Sequence, residues 1–267
     1  MSSRIHPTAV VDSHAVIGSD VTIGPYCCIG EHVVIGDGCE LQSHVVITGH
    51  TRLGSNNRVF PFASIGQIPQ DLKYNDEPSQ TVIGDNNQIR ENVTINAGTQ
   101  GGGMITRIGD HNLLMAYTHI AHDCLLGNHI VLANCATLAG HVEVEDQAIV
   151  GGLSAIQQFV RIGRLAMIGG MSGVTKDVPP FCLLAGGYRS GLSGLNIVGL
   201  KRQGFTLERV GRLKEVYRLL RQEAGRREQR LAEAEAVIPA DDADARSMLE
   251  FIRTAKRGLS MHARDND

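Results

Sequence analysis

The 267-residue chain has no tryptophan, five tyrosines and six phenylalanines. That scarcity excludes a core of interlocked aromatic rings, so the interior has to be built from small and branched side chains. Charge of one sign is also missing. The net charge of −3 provides no whole-chain field to draw in nucleic acid or a membrane surface, and no recognition fold for nucleic acid is apparent. The six cysteines, Cys27, Cys28, Cys39, Cys124, Cys135 and Cys182, form no CxxC pair and no framework spacing, a pattern that suits reduced thiols in a cytosolic protein. MSSRIHPTAVVDSH at the start lacks an apolar signal region, and no stretch approaches 18 uninterrupted apolar residues. Neither secretion by a signal peptide nor a transmembrane segment is expected.

What the chain has in quantity is glycine, 31 residues, and a repeat. Aliphatic residues recur every six positions from Ile5, Val11 and Ile17 to Ile65, again at Ile83, Ile89 and Ile95, and from Ile108 to Val174, 26 in all. Glycine often follows, as at Gly18, Gly36, Gly54 and Gly127, and the position two before is usually small or β-branched. A period of six fits neither a helix nor long alternating strands. It fits short strands joined by tight turns, one hexad per face of a triangular prism, with three hexads making a coil of 18 residues. The expected fold is an all-β, left-handed parallel β-helix with glycine at the close corners, a hand opposite to the usual crossover rule.

The breaks at about 66–82 and 97–105 read as loops leaving the prism. The first carries Asp71, Lys73 and Tyr74; the second, AGTQGGGMI, lacks the GK[ST] ending of a phosphate loop. Such loops on a rigid scaffold are where binding residues collect. The repeat stops at DVPPF, where prolines cannot join a ladder. From about 190 the period becomes helical: Leu207, Val210, Leu213, Val216, Tyr217 and Leu220 form one stripe, and ARSMLEFIRTAKRGL a further helix. The expected domains are a β-helix over 1–189 and a C-terminal helical domain over 190–267.

Coils of 18 residues bring distant residues together. His122 lies under Gly140 and Gln158, and Asp123 under His141 and Phe159, about 4.8 Å per coil. A neutral imidazole can take a proton from a hydroxyl or amine attacking a carbonyl. A carboxylate beside it fixes the tautomer and stabilises the imidazolium, and a glycine N–H can donate to a developing oxyanion. These are the parts for direct acyl transfer, with His122, Asp123 and Gly140 as the catalytic candidates. Cys124 points inward in this register, so it reads as core and not as a nucleophile. Ordinary polar surface is the competing reading: His6, His14, His32 and His44 occupy similar turns with no evident partners. A third possibility is a zinc site of the carbonic anhydrase type on His119, His122 and His141.

At these residues the sequence resembles a known family, the UDP-N-acetylglucosamine acyltransferases of lipid A biosynthesis. The matching stretches are QDLKY (70–74), IRENVTI (89–95), HIAHDC (119–124), LANCATLAGHV (132–142), DVPP (177–180) and NIVGLKRQGF (196–205). The resemblance implies a cytoplasmic homotrimer that moves an R-3-hydroxyacyl chain from acyl carrier protein to the 3-position of UDP-GlcNAc. The phosphopantetheine thioester is then the co-substrate, with no metal and no cofactor. It implies that His122 is the general base, Asp123 its orienting partner and Gly140 the oxyanion donor. Asp71, Lys73, His119, His141 and Gln158 would line the substrate cleft, Asn196 and Arg202 would contact nucleotide or phosphate, and Gly170 with Met171 would form the acyl-chain ruler. The chain departs from the family pattern at Asn96, Gln157, Val198 and Gln203, which leaves open a 3-amino acceptor or a related N-acyltransferase role. Between 200 and 230, ten Lys or Arg stand against four Glu, a surface suited to an acidic carrier protein.

Overall fold

A computed structural model describes residues 3–188, 190–221 and 227–261. Strands of two to four residues stack into three parallel sheets, one per face of a prism, as the hexads require. The second residue of nearly every strand is the repeat aliphatic, and from Ile23 to Val174 these side chains are buried in a single interior column. The fold is the left-handed parallel β-helix. Partners are 18 residues apart in plain coils, as Arg4 and Thr22 are. They are 30 apart where the first loop intervenes (Arg58–Gln88) and 25 apart where the second does (Gln88–Leu113). The 18-residue step from Ile65 to Ile83 is therefore not a full coil. Ile65 pairs with Ile47 and Ile95, whereas Ile83 pairs with Leu53; the chain advances one face, and residues 68–79 fill the difference.

Glycine serves the close corners of the coil through close approach and not through the left-handed turn. The left-handed turn positions, three residues after the aliphatic, are mostly held by other residues, among them Tyr117, Asp123, His141, Phe159 and Met171, with φ between 58° and 64°. Asn, Asp and His tolerate this region better than most. The glycine directly after the aliphatic is needed for close approach instead. A Cβ on Gly36 would lie 2.7 Å from the Gly54 carbonyl carbon of the next coil.

Both loops, 68–79 and 97–104, leave the prism at the same edge, between the nine-stranded and eight-stranded sheets. Away from that edge, Asn57, Asn87 and Asn112 staple the loop-bearing coils together. The Asn57 Oδ1 accepts from the Asn87 N–H at 2.8 Å, and the Asn87 Oδ1 from the Asn112 N–H at 2.8 Å. Each amide group donates to a glycine carbonyl, so the buried ladder is satisfied. The loops thus spring from a stiff base.

The prism ends in an antiparallel hairpin of Cys182–Ala185 and Gly191–Leu195, followed by α1 (Ile197–Arg202), α2 (Leu207–Leu220), α3 (Arg227–Val237) and α4 (Ala243–Thr254). In α2 the buried stripe is Val210, Leu213, Val216 and Leu219. Leu207 is exposed, because it opens the helix beside the Thr206 cap. α4 begins inside ADDADA, earlier than its apolar run, because the Asp242 side chain accepts from the Ala245 N–H. Much of the basic run is consumed in packing these helices. Arg209 joins Arg164 on Asp244, Arg212 pairs with Asp242, and Arg218 with Glu215. Lys201, Arg202 and Lys214 show no carboxylate partner among the described residues; Glu223 and Arg226 lie outside them.

Candidate active site

His122 and Asp123 occupy the turn at the loop-bearing edge. Their side chains are 7% and 0% exposed, so both are removed from bulk water. The His122 Nδ1 lies 2.8 Å from the Asp123 Oδ2. An ionised carboxylate only accepts, which assigns the proton to Nδ1 and leaves a lone pair on Nε2. Asp123 is itself held on three sides. The Thr99 N–H donates to Oδ1 at 2.8 Å, the Thr99 hydroxyl donates to Oδ2 at 2.6 Å, and the Asp123 N–H donates to the Thr106 Oγ1 at 2.8 Å. Gly102 lies so close that a Cβ there would fall on the carboxylate. The glycine-rich loop is therefore a cradle for Asp123.

Gly140 covers the imidazole one coil on. A methyl at this position would lie 2.6 Å from the His122 Nε2, so glycine is required for the ring to occupy its place. Gly140 is buried, and its N–H has no acceptor among the described residues. His141 meets the His122 ring edge-on, centroids 5.0 Å apart, with its Nε2 3.8 Å from the Asp123 Oδ2, and stacks on Phe159 at 4.3 Å. Burial pushes the His141 pKa down; Asp123 opposes that shift and the His122 charge adds to it. The charges of Asp71 and Lys73 are also felt at His141, so the first loop reaches the site. His119, its Nδ1 2.8 Å from the Thr94 Oγ1, likewise has its pKa lowered, first by burial and then by His122. Both imidazoles are thereby kept neutral near pH 7.

The other sequence candidates lie elsewhere or stand apart. Gln158 is exposed at the next turn of the same edge. Asn196 is committed to structure: its Oδ1 accepts from the Gly199 N–H and its Nδ2 donates to the Leu165 carbonyl. Arg202 is exposed on α1, and Gly170 and Met171 form an exposed turn at a different edge. Within one chain the structure brings together His122, Asp123, Gly140, His141, His119 and the Asp71–Lys73 loop, and not Asn196, Arg202, Gly170 or Met171. Cys124 is fully buried, its thiol pushed up to about 12 by burial and donating to the Ala139 carbonyl, which leaves no nucleophile there. His122, Asp123 and His141 place ligand-type atoms within 4.8 Å of one another. The Asp123 oxygens already accept three hydrogen bonds, so the donor set fits a protein-bound carboxylate better than a metal ligand.

Sequence reasoning did not find Thr99, Thr106, Thr94 or Gly102. The available signal was GGG in a loop facing the histidine turn: consecutive glycines mark close approach, here to a carboxylate and not to a phosphate. The expectation that His6, His14, His32 and His44 lack partners was also wrong. His6 touches Thr8, His14 pairs with Asp12, His32 pairs with Glu31, and His44 stacks on Phe62.

Known proteins match this architecture along nearly the whole chain. Residues 177–260 match the model for domain 2 of the UDP-N-acetylglucosamine O-acyltransferases, and 2–36, 14–49 and 105–140 match the bacterial transferase hexapeptide. Two relatives named acyl-[acyl-carrier-protein]–UDP-N-acetylglucosamine O-acyltransferase are similar over almost their full length. That of Verminephrobacter eiseniae is 51% identical, covering 96% of this chain and 99% of the relative. That of Aliarcobacter butzleri is 49% identical, covering 96% and 98%. Among solved structures, LpxA from Acinetobacter baumannii superposes with a TM-score of 0.93 at 44% identity, over 96% of this chain and 98% of that one. The UDP-N-acetylglucosamine acyltransferase of Francisella novicida gives 0.93 at 40%, over 97% and 95%. With identity of this order over the prism, loops and helices together, the chain belongs to the UDP-N-acetylglucosamine O-acyltransferase family and is an acyltransferase.

Proposed function

We propose that the protein transfers an R-3-hydroxyacyl chain from the phosphopantetheine thioester of acyl carrier protein to the 3-hydroxyl of UDP-GlcNAc, the first step of lipid A biosynthesis. The observation that carries this reading is the buried His122–Asp123 pair under the Gly140 backbone. The His122 Nε2 accepts the proton of the sugar hydroxyl as its oxygen bonds to the thioester carbon. The carbonyl oxygen becomes an oxyanion and accepts from the Gly140 N–H. As the intermediate collapses, the C–S bond breaks and the imidazolium returns its proton to the leaving thiolate. Asp123 stabilises the imidazolium throughout. Nothing in this sequence of bonds calls for a metal or a cofactor.

A single prism offers the pair only one wall. Several of the outward residues on the nine-stranded sheet, Val10, Cys28, Val46, Thr137, Ala155 and Gly173, are small or apolar, and this face bears no Lys, Arg, Asp or Glu along its strands. The other faces present Arg58 and Glu40, or Arg107 and Glu143. An uncharged flat face beside the catalytic edge suits self-association, which favours a homotrimer with the cleft closed by a neighbouring prism. Arg202 would then act from that neighbour, with Asn196 serving there as the cap of α1. Gly170 and Met171 border an apolar stripe of Val131, Ile149 and Met167 that suits an acyl chain. Among the described residues no helix is long and apolar enough to cross a membrane, which is compatible with work in the cytoplasm.

A second acceptor, a 3-amino analogue of the sugar, is left open by the departures in sequence, two of which the structure ties to local features: Gln203 meets Gln147, and Asn96 is buried with an unpaired Oδ1. The test is an assay of purified protein with UDP-GlcNAc and its 3-amino analogue, using acyl carrier proteins of several chain lengths. Ester product with UDP-GlcNAc is expected. Turnover confined to the amine would move the assignment to an N-acyltransferase, and no transfer to either acceptor would overturn the reading.

A further inference from the structure

The two loops are joined, and the joint leads to the catalytic carboxylate. The Glu77 carboxylate of the first loop accepts from the Gln100 N–H of the second at 2.9 Å and from the Asn75 N–H of its own loop at 2.7 Å. The Tyr74 hydroxyl donates to the Glu77 carbonyl at 3.0 Å. The adjoining turn is fixed by the Asp71 side chain accepting from the Lys73 N–H at 3.0 Å. Gln100 follows Thr99, whose N–H and hydroxyl both end on Asp123. The Thr99 carbonyl in turn accepts from Gly102 and Met104, closing the loop on itself. Hydrogen bonds and the short stretches of chain between them therefore connect the Asp71–Lys73 turn to the His122 ring.

We propose that Thr99 and Glu77 are positioning residues that set the reaction's base: Thr99 fixes the Asp123 carboxylate against His122, and Glu77 latches the Asp71–Lys73 loop onto Thr99. This rests on the proposed acyl transfer and adds to it the residues through which the two loops hold the base in place. Thr99 meets the carboxylate with two charge-assisted bonds in a buried pocket, where such bonds are strongest. Both its donors face one side chain, and the Cα of Gly102 blocks a second. Asp123 has a single place to be. Glu77 acts one step farther away. It is half-exposed, and backbone donors from both loops, Gln100 first and then Asn75, hold its pKa below the ordinary carboxylate range. The latch is therefore ionised and closed at neutral pH.

The test is a double-mutant cycle on the full-length enzyme with Thr99→Val, Thr99→Ser, Glu77→Ala and Thr99→Val/Glu77→Ala. The readouts are kcat, KM for the sugar nucleotide, and Tm. Thr99→Val keeps the backbone donor and the side-chain shape but loses the hydroxyl, and kcat is expected to fall on the order of a hundredfold with KM little changed. Thr99→Ser is expected to stay within roughly threefold of wild type. Glu77→Ala is expected to lower kcat by about tenfold and to raise KM, because it frees the Asp71–Lys73 turn. In the Thr99→Val background, its effect on kcat should largely vanish, since one path carries both. A merely structural role would lower Tm while kcat per folded molecule stayed at wild type, and that result overturns the proposal. So do multiplicative effects on kcat in the double variant. If Thr99→Val lowers Tm below the assay temperature, Thr99→Ser and the surface change Glu77→Ala still decide. Near-normal kcat in Glu77→Ala with unchanged KM sinks the latch. Absence of acyl transfer by the wild-type enzyme would sink the acyl-transfer reading itself, and an active His122→Ala enzyme the assignment of the base, whereas an inactive His122→Ala beside a fully active Thr99→Val sinks only this inference.

Discussion

One edge of the prism carries imidazoles at both its ends, and the two ends behave differently. In the first coils His32 stacks on His50 with rings 4.4 Å apart and nearly parallel. His14 and His32 are 78% and 50% exposed and pair with local carboxylates on the surface, Asp12 and Glu31. Farther along, His122 meets the same kind of partner, a carboxylate within 3 Å, yet the pair is buried. The repeat supplies the turn in both places. What differs is the two loops: the glycine-rich one covers Asp123 with Gly102 and meets its carboxylate with Thr99, and the charges of Asp71 and Lys73 on the other are felt at His141. Exposed ion pairs of the first kind contribute little. In the second setting a carboxylate is stabilised only because its remaining lone pairs are met, and it can then orient a base.

The comparison is broken most severely by changing the buried carboxylate. Asp123→Asn puts amide hydrogens toward a site already crowded with donors from Thr99, and it no longer selects the tautomer with a free Nε2. A loss of roughly 10³–10⁴ in kcat is expected from steady-state assays, with the fold intact by circular dichroism. Gly140→Ala comes next. The methyl displaces the His122 ring, and about a hundredfold loss in kcat should follow, seen together with a shifted ring in a crystal structure. Acidification is a milder probe. His119 and His141 have pKa values lowered by folding, so between those values and the ordinary imidazole pKa of about 6.5 the unfolded chain binds more protons. Stability is therefore fully present above that range and is lost as pH falls through it. Changing His119→Gln and His141→Gln should flatten this dependence by roughly 1–3 °C in Tm. The smallest effect belongs to the other end of the edge: His32→Ala and His50→Ala should leave kcat within about twofold and stability within about 0.5 kcal/mol.

The same contrast explains what could be read in advance. The hexads declare the coil because each inward aliphatic makes its own local demand, and stacking then brings Asp123 to His141 and His122 to Gly140 by counting alone. Thr99 and Glu77 obey no period. Their places depend on how two excursions fold against each other, and a spacing argument has no purchase there. The helical end shows the same limit. The stripe through Val210, Leu213 and Val216 was visible as periodicity, while the diversion of Arg209 and Arg212 into Asp244 and Asp242 required two helices to meet. Leu207 looked like part of the stripe, but as the first residue after the Thr206 cap it has no neighbour to cover it.

The decisive measurement is acyl transfer by His122→Ala, followed in single turnover at saturating UDP-GlcNAc and acyl carrier protein, with folding and oligomeric state checked on the same sample. Loss of at least about a thousandfold in a well-folded protein that still binds the sugar nucleotide is what the account predicts. Transfer within about tenfold of wild type would mean that some other group takes the proton, and would contradict it.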